Sequence, residues 1–441
     1  MPAPDVAALL TELERSDPEA ADDARIAVEW LTGGEPLETI TQLDVCEFLW
    51  YTLPLKVTGD HGDLARALGR LLRLGGMERY AALCSSPSTT RILRAYARDG
   101  EEAGMAAYQR ALNATGVLPP DVPELHWSSI MGPEEMGAHI ACSAALELAV
   151  VSGELRPAAN AWKAQAEALT RRWLTAPRTE LGGDNWVGRV HGERLNRWVL
   201  GRGAARRELA QPFEVRLHAP IAAPEGRHFP ALRWLLETAA EPGGVALTRR
   251  HNIAVPVADA AAERFGWPAG GVAALRVLRR IAEREMRAVV RTEGALLITP
   301  AGRRLLDDPA ALWQAAAPAL LTPAAGEREV QMSVREVGLM LLVDVGGLPP
   351  DPLAERVAEV VAGEGWRTAT PADVAGPLGE LRDRLEALHL CHAPGPDARA
   401  ASTAEEAEPD GPLVLTAAGR AAALTALRIQ ALRPRKYVTL S

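Results

Sequence analysis

Cysteine is scarce in this chain of 441 residues: there are four, Cys46, Cys84, Cys142 and Cys391, far apart and without a CxxC pair. That argues against a disulfide framework or a structural zinc site and points to buried, reduced thiols. Lysine is rarer still, present only as Lys56, Lys163 and Lys436. The other basic residues are all arginine, which with the abundant alanine reads as a GC-rich bacterial coding bias and carries no function. Aromatics make up 5%, yet eleven tryptophans outnumber four phenylalanines. No stretch of 18 or more apolar residues is free of charge, and the runs 144–151 and 337–345 are short, so no membrane span is expected. The amino terminus lacks a basic start followed by an apolar run; no signal peptide is expected, and a cytoplasmic location is. There is no GxGxxG after a strand, no GxxxxGK[ST] and no GxSxG, so no cofactor is expected. A net charge of −9 argues against nucleic acid along the whole chain while allowing one local basic patch.

What is present is helical periodicity. Apolar residues three and four apart mark helices at 6–14, 24–31 and 44–51, then an amphipathic helix at 63–74 carrying Leu64, Leu68, Leu71 and Leu72. Helices at 91–97 and 102–113 follow. LPPDVPE (118–124) breaks the pattern, because proline cannot continue a helix. Beyond it lie helices at 134–152, 156–174 and 185–200. A short alternating piece at 213–217 and the following APIAAPEG read as a linker. The expected fold is mainly α: a helical region over 1–210, divisible near 118–124, a linker over 211–227, and two further domains over 228–325 and 327–441.

Those last two segments repeat each other. The first reads FPALRWLLE, ADAAAERFGW, GGVAALRVLRRIAEREMRAVV, RTEGALLITPAGRRLL; the second reads VREVGLMLLVDV, LAERVAEVVAGEGW, PADVAGPLGELRDRLEALHLCHA, GPLVLTAAGRAAALTAL. Gly302 and Gly419 mark equivalent points, and Trp267 and Trp366 end the second helix of each repeat. Leu296 and Ile298, or Leu413 and Leu415, alternate as a last strand; Thr299 or Thr416 then caps the next helix, with Pro300 in its first turn. Three helices, a hairpin and an LTxxGR turn into a closing helix resemble the winged-helix family. That resemblance implies a small β wing and a third helix that enters the major groove of double-stranded DNA. In the amino-terminal half, Asp44, Val45, Glu47, Phe48, Leu49, Trp50, Tyr51, Leu53 and Pro54 form a D-V-x-E-F-L-W-Y-x-L-P stretch similar to a family of uncharacterised actinobacterial proteins, which implies no activity. WLTAPRTELGGDNWV (173–187) resembles the turn of the toxin-binding domain in some antitoxins, with Trp186 where that pattern has proline. Its residues read equally as a Gly182–Gly183 turn with Asp184 or Asn185 capping the next helix.

Among candidate functional residues, Arg276, Arg280, Arg284, Arg287 and Arg291 recur at intervals of 4, 4, 3 and 4, which places them on one face if the helix persists. Arg303 and Arg304 after the wing, and Arg249 and Arg250 in GVALTRRHN, are further candidate phosphate contacts. The block 228–310 holds twelve arginines and nine acids, whereas 331–441 holds eleven basic and fifteen acidic residues. Two readings of the arginine face stay open: nucleic-acid contact, or a solvated face with Arg279–Glu283 support four residues apart. The segment 396–411, with Glu405, Glu406, Glu408 and Asp410, reads as an acidic wing tip that phosphate would repel. Arg433, Arg435 and Lys436 form a basic tail of open meaning. Trp127, Trp162, Trp173, Trp186 and Trp198 read as the core of the second segment or the lining of a pocket. The pairs Glu135/His139 and His191/Glu193, and the HLCH of His389, Cys391 and His392, lack the spacing of a metal site. Gly270 and Gly271 read as a turn.

Three functions follow in order of preference. The first is a DNA-binding regulatory protein whose helical region senses a ligand or oligomerises. The second is an adaptor whose winged helices bind another protein, favoured by the acidic second repeat. The third is an enzyme without a recognisable motif.

Overall fold

The opening helices start where the sequence offers caps. Asp5 and Asp17 accept hydrogen bonds from the first turns of Val6–Ser16 and Pro18–Thr32, and Thr41 and Asp44 form a reciprocal capping box on Gln42–Glu47. The helix then widens into a π-helical turn, Phe48–Thr52, before Leu53–Lys56. Pro54 has no N–H to return to Trp50, and the Leu53 N–H reaches back five residues to Phe48 instead. The stretch 44–54 therefore changes helix geometry part-way along, and its Trp50 is 2% exposed. Helices His61–Leu74, Glu78–Cys84, Pro87–Asp99 and Glu101–Thr115 complete the first core; Pro133–Ser152 and Trp162–Thr175 build the part beyond the proline break. The expected start at 156 moves to Trp162.

The computed structural model describes residues 5–157, 159–267, 272–324, 326–366, 370–392 and 411–436. The chain divides into two units: Met1–Val190 with Pro434–Ser441, and His191–Arg433. The boundary falls inside the helix Trp186–Leu200, about twenty residues before the expected one. The expected linker is helical in its first part: Ala204–His218 is one helix, and Phe213 and Leu217, read as an alternating piece, are buried on its face with Ala210. Burial of that face against the second unit's core overrides the local pattern. Trp198 likewise belongs to the second unit, while Trp127, Trp162, Trp173 and Trp186 stay in the first.

Among the described residues one helix, Pro133–Ser152, is long and apolar enough to cross a membrane by length and composition, whereas no membrane span is expected from the sequence. Its buried carboxylates have protein partners. Glu147 accepts from the Gln42 N–H at 2.7 Å, the Tyr80 hydroxyl at 2.8 Å and Arg79 at 2.9 Å, and Glu135 accepts from the Ser128 N–H at 2.6 Å. It serves the first unit as a core helix.

In the second unit the two repeats share one hydrophobic core with the helices that precede them. The segments 228–325 and 327–441, expected as two domains, both contribute residues to that core. Its centre is Glu329–Val345, buried on every side from Met332 to Val343. A helix stretch buried all round belongs in a core, and its two buried charges are paired there. Arg335 meets Glu327 at 2.6 Å; Glu336 meets Arg206 at 2.8 Å, which also holds Glu364 at 3.1 Å.

The first repeat runs Pro230–Ala240, β1 (Val245–Ala246), Val255–Phe265, Val272–Arg280, β2 (Val289–Arg291), β3 (Ala295–Ile298) and Pro300–Asp307. The strands form one antiparallel sheet in the order β1-β3-β2. The second repeat follows the same path through Glu329–Val345, Pro350–Gly363, Pro371–Ala387 and Ala417–Ala431, with its strands reduced to the bridges Leu348–Leu413 and Cys391–Leu415. Its expected acidic wing tip lies outside the described residues apart from Gly411, and so does the Gly270–Gly271 turn.

Candidate functional site: a cationic cleft

The third helix of the first repeat does not carry its arginines along one straight ridge. It is α-helical from Val272 to Arg280, continues as a π-helical turn, Ile281–Glu285, and ends there. Arg287 sits beyond it in a left-handed turn at φ 51°, and Arg291 lies on β2. The correction has a local cause: the Met286 N–H closes on Ile281, and the Ala288 N–H then turns back to Ala282 at 2.7 Å, leading into β2.

Tertiary structure gathers part of the series again. A cleft of about 610 Å³ is lined by Arg276, Arg279, Arg280 and Arg284 from the third helix, Arg250 from the turn after β1, and Arg291 from β2. Arg279 bridges two of these segments, pairing with Glu283 at 3.0 Å and donating to the His251 carbonyl. The turn itself is closed by the Thr248 N–H on Asn252 at 2.7 Å and the His251 N–H on Thr248 at 2.8 Å. Arg249, Arg287, Arg303 and Arg304 are exposed but do not line the cleft.

Three carboxylates line the same cleft: Glu283, Glu380 and Asp383. The last two come from Pro371–Ala387, the third helix of the second repeat, which packs against the third helix of the first. Arg280, 28% exposed, lies 3.9 Å from Glu380. Beneath it Arg384 is fully buried, 3.4 Å from Glu285 and donating to the Ala319 carbonyl. Burial brings the Arg384 guanidinium down to about 10, with Glu285 pulling the other way. Burial likewise raises the Glu285 carboxyl, against the pull of Arg384 and Arg280. By contrast Arg250, Arg276, Arg284 and Arg291 have no ion pair among the described residues. Six arginines against three carboxylates leave a cationic surface whose four outer guanidinium groups are uncommitted.

Arg279, Glu380 and Asp383 escaped the sequence reading as site residues. Arg279 was legible only as a helix-surface partner of Glu283, and nothing local places 380 and 383 opposite 280.

The remaining candidates have structural roles. His139 stacks edge-on against Trp127 at 5.0 Å between centroids, and burial lowers its pKa to about 4. His389 occupies a left-handed turn at φ 57°, the counterpart of Arg287, and packs 5.4 Å from Phe265. The cysteines are free; burial raises Cys84, Cys142 and Cys391 to about 12 and holds the Cys46 thiol far above its ordinary range. Among the described residues no group of three or more His, Cys, Asp and Glu could hold a metal ion. Asn185 caps its helix, accepting from the Gly188 N–H at 2.8 Å after the left-handed Gly182 and Gly183. The basic tail meets the first unit through its backbone: the Ser129 N–H donates to the Arg435 carbonyl at 2.6 Å, and the Arg435 N–H to Ser128 Oγ at 2.9 Å.

Compared with known proteins, the chain matches no family, no curated protein and no solved structure.

Proposed function

We propose that the protein binds double-stranded DNA through the cationic cleft of its second unit and acts as a DNA-binding regulator. The observation that carries this reading is the convergence of four unpaired arginines, Arg250, Arg276, Arg284 and Arg291, from three separate segments onto one surface. Uncommitted guanidinium groups at a cleft are suited to phosphate oxygens. The order of helices and strands in the first repeat, with a short hairpin beside the third helix, supports a winged-helix assignment for it and, more loosely, for the second repeat. With one side of that third helix packed on its counterpart, phosphate contacts outweigh base contacts in this proposal.

The test is fluorescence anisotropy with a labelled duplex across a salt series. Each phosphate neutralised contributes about −0.9 to the slope of log K against log salt, so four contacts give a slope of about −4. Replacing Arg276 and Arg284 by alanine should flatten it by about 2 and weaken binding at every duplex sequence. No measurable binding at low salt, or a slope untouched by those substitutions, defeats the reading.

A second reading, an adaptor that seats a protein segment, is favoured by Glu283, Glu380 and Asp383 lining the same cleft. It predicts no DNA binding at physiological salt and retention of a protein partner that the Arg276/Arg284 variant releases.

A further inference from the structure

A second cavity lies in the first unit, remote in sequence from the cationic cleft and independent of the DNA-binding proposal. Its walls are the hairpin of Pro87–Asp99 and Glu101–Thr115, and its floor includes Trp50 of the π-helical turn. The hairpin turns at Gly100, so residues equally far from it in sequence face each other. Near the turn the helices pack closely: any side chain at Gly104 would run into the Tyr96 ring. Toward the open end the apolar residues that Glu101–Thr115 offers are Ala107, Ala111 and Ala114, at spacings of four and three, and about 440 Å³ of space remains between the helices.

The chemistry of that space is one-sided. Its apolar wall is completed by Leu83 and Ile92, and among the described residues no carboxylate lines it. The Trp50 indole N–H is already spent on Thr89 Oγ1 at 2.8 Å, so Trp50 contributes apolar surface. Thr115 and Ser86 hydroxyls are engaged with the Leu112 carbonyl and Thr89. Three donors are left: the Ser88 hydroxyl and the guanidinium groups of Arg91 and Arg110, none with a side-chain hydrogen bond or ion pair among the described residues. Arg91 and Arg110 sit nine residues before and ten after Gly100, which is how the hairpin brings both to one mouth.

We propose that this cavity binds a small organic anion: a carboxylate or phosphate held by Arg91, Arg110 and Ser88, with a flat apolar body against the alanine wall and Trp50. The volume lies within the range of small-molecule sites, about 300–1,000 Å³. Guanidinium pairs favour planar, bidentate oxyanions over neutral groups.

Isothermal titration of the full chain with 1-naphthyl phosphate, 1-naphthoate and 1-naphthol tests this, because the three share a ring and differ in charge. At least one anion should bind saturably, at least tenfold more tightly than the neutral naphthol. Arg91→Ala with Arg110→Ala should abolish that preference while leaving the melting temperature unchanged, since both side chains are exposed. Ala111→Trp, which fills the cavity, should block all three ligands. The phosphate and carboxylate arms show which oxyanion the mouth prefers. Absence of saturable binding by both anions at millimolar concentration overturns the proposal, and so does binding that the arginine pair or the filled cavity leaves unchanged.

Discussion

Gly302 and Gly419 show how a single residue type is dictated by its surroundings. A Cβ at either position would collide with a backbone carbonyl, that of Ala288 in the first repeat and of Leu390 in the second. Those carbonyls are the ones that accept the Thr299 and Thr416 N–H groups, at 2.9 and 3.0 Å, while the threonine hydroxyls cap the glycine N–H groups. The closing helix therefore starts hard against the turn that follows the third helix, and only glycine fits. Gly419→Ala should destabilise the protein by about 3 kcal/mol in urea unfolding, the upper end of overpacking costs. Gly376→Ala, in a helix with open space at Cβ, should be neutral or stabilising by up to about 1 kcal/mol. Equal effects at the two sites would disprove the account. His139 sets a second residue-scale expectation. Its folded pKa of about 4 lies below the unfolded value of 6.5, so between those limits the unfolded chain binds more protons. Its contribution is complete above pH 6.5, is lost as pH falls to 4, and amounts to about 3 kcal/mol. Unfolding free energies at pH 7 and pH 4.5 should therefore differ less in His139→Phe than in the parent. A variant with the same pH dependence would contradict it.

At the scale of elements, the third helices of the two repeats decide what the cleft is. Sequence periodicity predicts the segments that become Val272–Arg280 and Pro371–Ala387, and it separates their apolar from their charged sides. It does not predict that they pack on each other, which puts Glu380 and Asp383 into the cleft of the first repeat. Glu380 holds Arg280 in an ion pair, and under the proposed function both carboxylates would repel DNA phosphates. Glu380→Gln with Asp383→Asn should tighten duplex binding about tenfold at low salt and steepen the salt dependence by up to 1, as Arg280 is released. Unchanged or weaker duplex binding in that variant would show that the carboxylates do not oppose DNA. The π-helical turn Ile281–Glu285 is the element-level reason that Arg287 and Arg291 leave the helix; no residue at 281–285 announces it as Pro54 announces the turn at Phe48–Thr52.

At the scale of the whole molecule, the main surprise is how the second unit shares its core. Leu195, Phe213 and Leu217 before the repeats, and Leu278, Leu339 and Leu427 within them, belong to one cluster. A stretch read as a linker from its alternating piece at 213–217 and the following APIAAPEG is in its first part a core helix, because Ala210, Phe213 and Leu217 fall on one helical face that is buried. The buried Arg206 in that helix ties it to Glu336 and Glu364, a pairing across more than 120 residues that no local pattern reports.

The amino-acid sequence alone determined the helical class, most helix positions, the proline break at 118–124, the threonine caps and the duplicated LTxxGR endings. All of these rest on interactions within about four residues, where hydrogen-bond caps and amphipathic spacing are written directly in the chain. Tertiary structure alone decided that the repeats share a core, that four arginines converge while Arg287, Arg303 and Arg304 stand apart, and that an alanine-lined cavity opens beside Trp50. Those outcomes depend on packing between segments that lie from tens to more than two hundred residues apart, and such packing energy is spread over many contacts with no local signature.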